Sequence, residues 1–235
     1  MAGDERPDDL FSGLARDWWG AASPAAPLRA LNEPRFAYFD RYVEGGWAGR
    51  RVLDVGCGGG FTTEYLAARG AKVSGVDVSL ALASAARTHA AASSLDIGYA
   101  VGAGEQLPYA DGVFSVVTCL DVLEHVPSPG EVVREVHRVL APGGMFLFDT
   151  INRTWLSRAV MIWGLERVLR AIPRGTHDWH DFITPGEMTA YLAAAGFTPV
   201  GRMSGLAVVG RRPDGTFRAR LTRNVSCTYL GAARR

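Results

Sequence analysis

One heptapeptide constrains this chain more than any other feature: Asp54-Val55-Gly56-Cys57-Gly58-Gly59-Gly60. It stands between a short apolar run, Arg51–Val55, and a helical pattern over Phe61–Arg69 that Gly70 stops. Glycines lack a Cβ, so the backbone can turn sharply and a ligand can press against the main chain. An apolar run entering such a turn and leaving it as a helix reads as a buried strand opening a βαβ unit. The next strand, Lys72–Asp77, ends in an acid 21 positions after Gly56. In open α/β sheets that location sets a carboxylate against ribose hydroxyls.

The alternation continues. Ser79 is the expected N-cap of an Ala-rich helix reaching about Ala92, and Ile97–Val101 and Val113–Cys119 read as strands. A helix over Ser128–Leu140 ends at Ala141-Pro142-Gly143-Gly144, and Met145–Thr150 reads as a fifth strand. Strand alternating with helix predicts a Rossmann-like α/β fold with a mostly parallel sheet. Residues 1–9 read as a solvated, disordered tail and 10–235 as one domain. Within it, 10–45 forms an N-terminal helical cap, from helices at Leu10–Trp19 and Asn32–Tyr42 around a turn-rich break at Ser23–Pro27. Residues 151–184 interrupt the rhythm as a helical insertion or lid. Pro185–Ala195 resumes as a helix. Two strand-like segments follow, Thr198–Val209 and Phe217–Leu230, joined at Pro213-Asp214-Gly215; the second reads as an antiparallel return strand.

Two cofactors compete for the glycine turn. A dinucleotide fingerprint needs G-x-G-x-x-G, and counted from Gly56 the last position is Phe61. An acid two residues before the first glycine, with glycines crowded after Cys57, suits a ligand bearing an amino-acid moiety. Its ammonium needs carboxylate and carbonyl partners. S-adenosylmethionine is such a ligand. The plainer reading is a glycine turn without a ligand, but strand, turn, helix and distal acid agree against it. Cys57 invites a nucleophile reading; within this turn a small packing residue is the better one.

Outlying motifs are more specific. The Asp54–Gly60 turn, Leu123-Glu124-His125-Val126-Pro127 and Leu140-Ala141-Pro142-Gly143-Gly144 resemble the motifs of class I methyltransferases. Trp18-Trp19, Pro27-Leu28, Leu31-Asn32-Glu33-Pro34-Arg35, Ile151-Asn152-Arg153 and Pro173-Arg174-Gly175-Thr176-His177-Asp178 extend the match over roughly residues 18–190. Together they resemble the 3-demethylubiquinol O-methyltransferase family. The resemblance implies a seven-stranded sheet with an antiparallel last strand. It also implies that Arg35, Gly56, Asp77 and Leu120 contact the cofactor, beside the loop residues Asp54 and Gly58. Arg35 would reach the methionine carboxylate, as a guanidinium does well; the alternative is a surface arginine on a helix. Many relatives carry an acid near position 103, where this chain has Ala103-Gly104-Glu105, so adenine recognition falls to backbone groups such as those at Gly104, or to Glu105.

Asp121, Glu124 and His125 stand at i, i+3 and i+4 after the fourth strand. On a helical turn they share a face and could hold Mg²⁺ or Mn²⁺. The resemblance implies a similar use, usually with Glu in place of Asp121. The other reading is that Leu-Glu-His-Val merely shapes the loop beside the cofactor. The expected reaction explains why help is needed: a phenol has a pKa of about 10, so little phenolate exists at neutral pH. A metal could lower that pKa, or His125 could serve as general base. His177 and Asp178, on a loop expected to face substrate, are further catalytic candidates. His89 and His137 fall on helices, where packed or solvated roles are expected.

The stretch Trp155–Arg174 mixes large apolar residues with Arg158, Arg167, Arg170 and Arg174. It reads either as a helix packed over the sheet as a lid or as an interfacial helix making peripheral membrane contact. A formal net charge of +1 argues against a nucleic-acid partner. Cys57, Cys119 and Cys227 make no CxxC pair, and the acidic N-terminus is no signal peptide. A cytoplasmic enzyme is expected, peripheral to membrane, methylating a hydroxyl of a small aromatic substrate such as a quinone precursor. Methylation at carbon, nitrogen, sulfur or carboxylate stays open, and so does a non-catalytic cofactor-binding role. A nicotinamide oxidoreductase is disfavoured by Phe61.

Overall fold

The computed structural model describes residues 12–20, 23–168, 173–211 and 217–235. Strands β1 (Arg51–Val55), β2 (Lys72–Asp77), β3 (Ile97–Val101), β4 (Phe114–Cys119) and β5 (Leu140–Ile151) pair in parallel. Strands β6 (Thr198–Arg211), β7 (Phe217–Thr222) and β8 (Thr228–Arg234) pair antiparallel. All eight join one sheet in the order β3-β2-β1-β4-β5-β8-β6-β7. The order reverses between β1 and β4, so the carboxyl ends of those two strands border the crevice where such sheets bind ligands.

The helices are α1 (Ala26–Phe39), α2 (Phe61–Ala67), α3 (Leu80–Ala92), α4 (Pro129–Val139) and α5 (Pro185–Ala195). The Val132, Val133, Val136 and Val139 side chains of α4 are fully buried in one core cluster with Leu53, Val117 and Phe146 of the sheet. Each such side chain contributes roughly 1.5–3 kcal/mol by leaving water. A second cluster joins Phe36 and Phe39 of α1 to Leu66, Val116 and Leu147. Ser79 caps α3 by accepting from the Leu82 amide at 3.2 Å, as expected. Thr184 and Glu187 form a reciprocal capping box at the start of α5.

Several expectations need correction. The sheet has eight strands because Phe217–Leu230 is two. Thr222 Oγ1 accepts from the Asn224 amide at 3.2 Å and Asn224 Oδ1 from the Ser226 amide at 2.9 Å. These local bonds turn the chain, in competition with the ladder. As a result β8 slots between β5 and β6, leaving β7 paired with β6. The second helix begins at Ala26, before Asn32, since Pro27 suits a first turn rather than a break. Of the expected first helix, Ser12 and Gly13 are α-helical and Ala15–Asp17 form a 3₁₀ turn, while Leu10 and Phe11 lie outside the described residues. Strand β5 begins at Leu140, which pairs with Phe114 ahead of the Pro142-Gly143-Gly144 segment. The tail at 1–9 and the Pro213-Asp214-Gly215 turn lie outside the described residues.

In the 151–184 insertion, one α-helical turn, Trp155–Ser157, leads into a π-helical stretch, Arg158–Val168. Several of its large apolar side chains face outward: Trp155 is 72% exposed, Trp163 59% and Val168 75%. Trp155 stacks on Trp179 at 5.3 Å, with the Arg158 guanidinium over both rings. Among the described residues no helix is long and apolar enough to cross a membrane.

Candidate active site

The site is built on strand ends. Gly56 leaves β1 with φ of +67°, and a Cβ there would lie 2.3 Å from Val122 Cγ2. Only glycine meets both conditions. The Gly58 amide donates to Asp77 Oδ2 at 2.8 Å, and the Ser79 amide donates to Asp77 Oδ1 at 2.9 Å. The carboxylate at the end of β2 is therefore held against the glycine turn. Trp18 lies on the turn: a Cβ at Gly59 would stand 2.3 Å from its ring. Trp19 Nε1 donates to the Gly59 carbonyl at 2.8 Å, and its ring stacks on His89 at 3.6 Å.

Acidic side chains crowd the neighbouring strand ends. Asp54 is 2% exposed and accepts the Thr118 hydroxyl at 2.6 Å; burial pushes its pKa up to about 7. Glu124 accepts the Thr150 hydroxyl at 2.7 Å, and burial followed by the Asp121 charge pushes it up to about 7. Burial pushes Asp149 upward, against the pull of Arg35. The one guanidinium among them, Arg35, is buried between Asp121 and Asp149. Asp149 also accepts the Asp121 amide at 2.8 Å, which holds Asp121 at φ of +56°. Buried carboxyls whose ionisation burial holds back favour a cationic ligand, which would draw their protons off.

Sequence reasoning located Asp54, Gly56, Gly58, Asp77 and Leu120 at these strand ends, and all are there. Arg35 is buried inside the site rather than on a helix surface, but its partners are protein carboxylates. Gly104 packs against Val132 and Val55. Glu105 Oε1 is buried without a hydrogen-bond partner, an acceptor suited to an amine of a ligand. Cys57 is buried and its thiol is pushed well up by burial, which fits packing and not nucleophilic attack.

The expected metal centre is not assembled. Leu123–His125 is a 3₁₀ turn rather than part of an α-helix, and Asp121 precedes it in the left-handed region. The shared helical face therefore does not exist. Asp121 turns to Arg35 and Glu124 to Thr150. Among the described residues no group of three or more His, Cys, Asp or Glu side chains is arranged to hold a metal ion. Asp121, Glu124 and His125 as placed do not fit Mg²⁺.

The histidines do come together. The His125 and His177 rings lie 5.2 Å apart, and burial followed by His177 lowers the His125 pKa to about 4, so that ring is neutral. Asp178 stays out of the pair: it is exposed and accepts from the His180 amide at 2.9 Å, capping a 3₁₀ turn. Sequence reasoning missed Asp149 and Glu166. Each is the sole acid in its run, Met145–Ile151 and Trp155–Arg174 respectively, and that isolation was the available signal.

A glycine turn at a sheet's switch point, a carboxylate held against it at the end of β2 and an acid-rich floor point to an S-adenosylmethionine-dependent methyltransferase, and comparison with known proteins agrees. Residues 53–148 match a family model described as a methyltransferase domain. A SAM-dependent methyltransferase of Thermotoga maritima, described as a possible histamine N-methyltransferase, superposes with a TM-score of 0.66 at 16% identity, covering 97% of this chain and 99% of that one. Magnesium protoporphyrin IX methyltransferase from Synechocystis, solved with bound SAH, gives 0.63 at 21% identity over 90% of this chain and 84% of that one. Similarity in sequence is much stronger to the ubiquinone biosynthesis O-methyltransferase of Xanthomonas euvesicatoria pv. vesicatoria: 40% identity over 226 residues, 96% of this chain and 92% of that protein. The chain belongs to the ubiquinone biosynthesis O-methyltransferase family.

Proposed function

We propose that the enzyme transfers a methyl group from S-adenosylmethionine to a phenol or catechol hydroxyl of a quinone precursor. The observation that carries this reading is the buried acid cluster of Asp54, Glu124 and Asp149 around one guanidinium at the crevice. It stabilises a ligand with net positive charge. The cofactor supplies an activated methyl on a sulfonium and has one more positive charge than its demethylated product, so the same acids favour exchange of product for fresh cofactor. Asp77 would accept the ribose hydroxyls, Glu105 the adenine amine, and Asp54 the ammonium. The His125–His177 pair would take the phenol proton while the acceptor oxygen is held in line with the methyl.

No step is routed through a metal, because the carboxylates it would need already serve Arg35 and Thr150. The outward Trp155, Trp163 and Arg158 side chains suit contact with a lipid headgroup layer, where aromatic rings and arginine sit well. We therefore also propose a cytoplasmic enzyme docked peripherally through this face, admitting a substrate with a lipid tail. Calorimetric titration tests the cofactor assignment. Asp77→Ala should weaken binding of the demethylated product about ten- to hundredfold, the value of losing its hydrogen bonds to ribose. Unchanged affinity overturns the role given to Asp77.

A further inference from the structure

Glu166 is a buried carboxylate in the insertion that none of the foregoing chemistry uses. It is 2% exposed, and its oxygens take three donors from one loop. The Gly175 amide donates to Oε2 at 2.9 Å, and the His177 amide to Oε1 at 3.0 Å. The His177 ring nitrogen Nδ1 lies 2.7 Å from Oε1. Two backbone amides would suffice to tie the loop down. The third contact orients an imidazole, and that imidazole stands beside His125 and lines a cavity of about 400 Å³ with Ile162, Glu166, Arg167, Arg174 and Gly175.

A carboxylate accepts hydrogen bonds and donates none, so the ring proton of neutral His177 must sit on Nδ1. We infer that Glu166 is a positioning residue that locks His177 in the Nδ1–H tautomer, leaving Nε2 with its lone pair as the atom that accepts the substrate's phenolic proton. The inference rests on the phenol reading of the site. In the step it describes, the phenol O–H bond breaks and its proton goes to His177 Nε2. The oxygen pair forms the new O–CH₃ bond, and the C–S bond breaks with its electrons returning to sulfur, which becomes a neutral thioether. The imidazolium then releases its proton to solvent. No oxidant or metal is needed for balance.

The test combines Glu166→Gln with direct observation of the ring. An amide can donate to Nδ1, so the substitution permits the opposite tautomer while keeping the side chain's size. Turnover should fall about ten- to hundredfold, the scale of a misplaced general base, with KM and cofactor affinity within about threefold. Nitrogen-detected NMR of labelled histidine should find His177 as Nδ1–H in the wild type and shifted toward Nε2–H in Glu166→Gln. Turnover within about threefold of wild type, or a loss carried by KM, overturns the inference. So does an Nε2–H wild-type tautomer, a result that stands even where the variant fails to fold. Wild type that binds cofactor but methylates no phenol or catechol overturns the phenol reading and the base role with it. The NMR result then still decides whether Glu166 sets the tautomer.

Discussion

Replacing Asp54 with Asn tests the electrostatics of the crevice. The carboxyl is buried beneath the glycine turn, and its pKa stands at about 7 against an ordinary 3.8. A folded pKa raised in this way gives stability that is fully present below the unfolded value and lost as pH rises through about 7. A shift of about three units corresponds to about 4 kcal/mol at high pH, of which about 2–3 kcal/mol falls between about pH 5 and about pH 8. Asn keeps the Thr118 hydrogen bond through its carbonyl oxygen but has no proton to lose. In urea titrations without cofactor, wild type should therefore lose about 2–3 kcal/mol relative to Asp54→Asn across that window. Terms from Glu124 and His125 are largely common to both proteins, and those of Asp77 and Asp149, which feel the Asp54 charge, add a smaller difference of the same origin. A bound cation beside Asp54 draws its pKa down, so cofactor binding near neutral pH should release protons from wild type and fewer from the variant. Calorimetry in buffers of different ionisation enthalpy reads that release. Stability profiles that run parallel to within about 0.5 kcal/mol would refute the argument.

Two further outcomes follow from the site's surroundings. Chelator-treated enzyme should retain full turnover, because Asp121 and Glu124 are engaged with Arg35 and Thr150; loss of activity restored by Mg²⁺ would show that these side chains rearrange around an ion. Changing Trp155 and Trp163 to Ser should reduce flotation with anionic vesicles while sparing cofactor affinity, since both rings face outward; unchanged flotation and unchanged KM for a lipid-tailed substrate would contradict the docking face.

The parallel half of the sheet was legible because each strand there is a short apolar run punctuated by glycine or a cap. Ser79, Asp77 and Pro185 mark its boundaries in the sequence. The antiparallel half was less so. Asn224 divides Phe217–Leu230 through side-chain bonds that no periodicity reveals. The strand-end positions of Asp54, Gly56, Gly58 and Asp77 were legible because these residues sit beside turns of fixed geometry. The Asp121, Glu124 and His125 side chains are not brought together for a definable reason: i, i+3, i+4 spacing implies a shared face only where the backbone is α-helical. Here Asp121 is left-handed and the next turn is 3₁₀. Arg35, Asp121 and Asp149 are separated widely in the chain, and only the fold brings that ion cluster together.

Transfer itself tests the central claim most directly. Enzyme incubated with S-adenosylmethionine labelled in its methyl carbon and a catechol-bearing quinone precursor should yield product whose label resonates as an aryl methoxy group. Production should depend on His177 and Asp77. Label found on carbon, nitrogen or carboxylate, or cofactor bound with no aryl ether formed, would contradict the account.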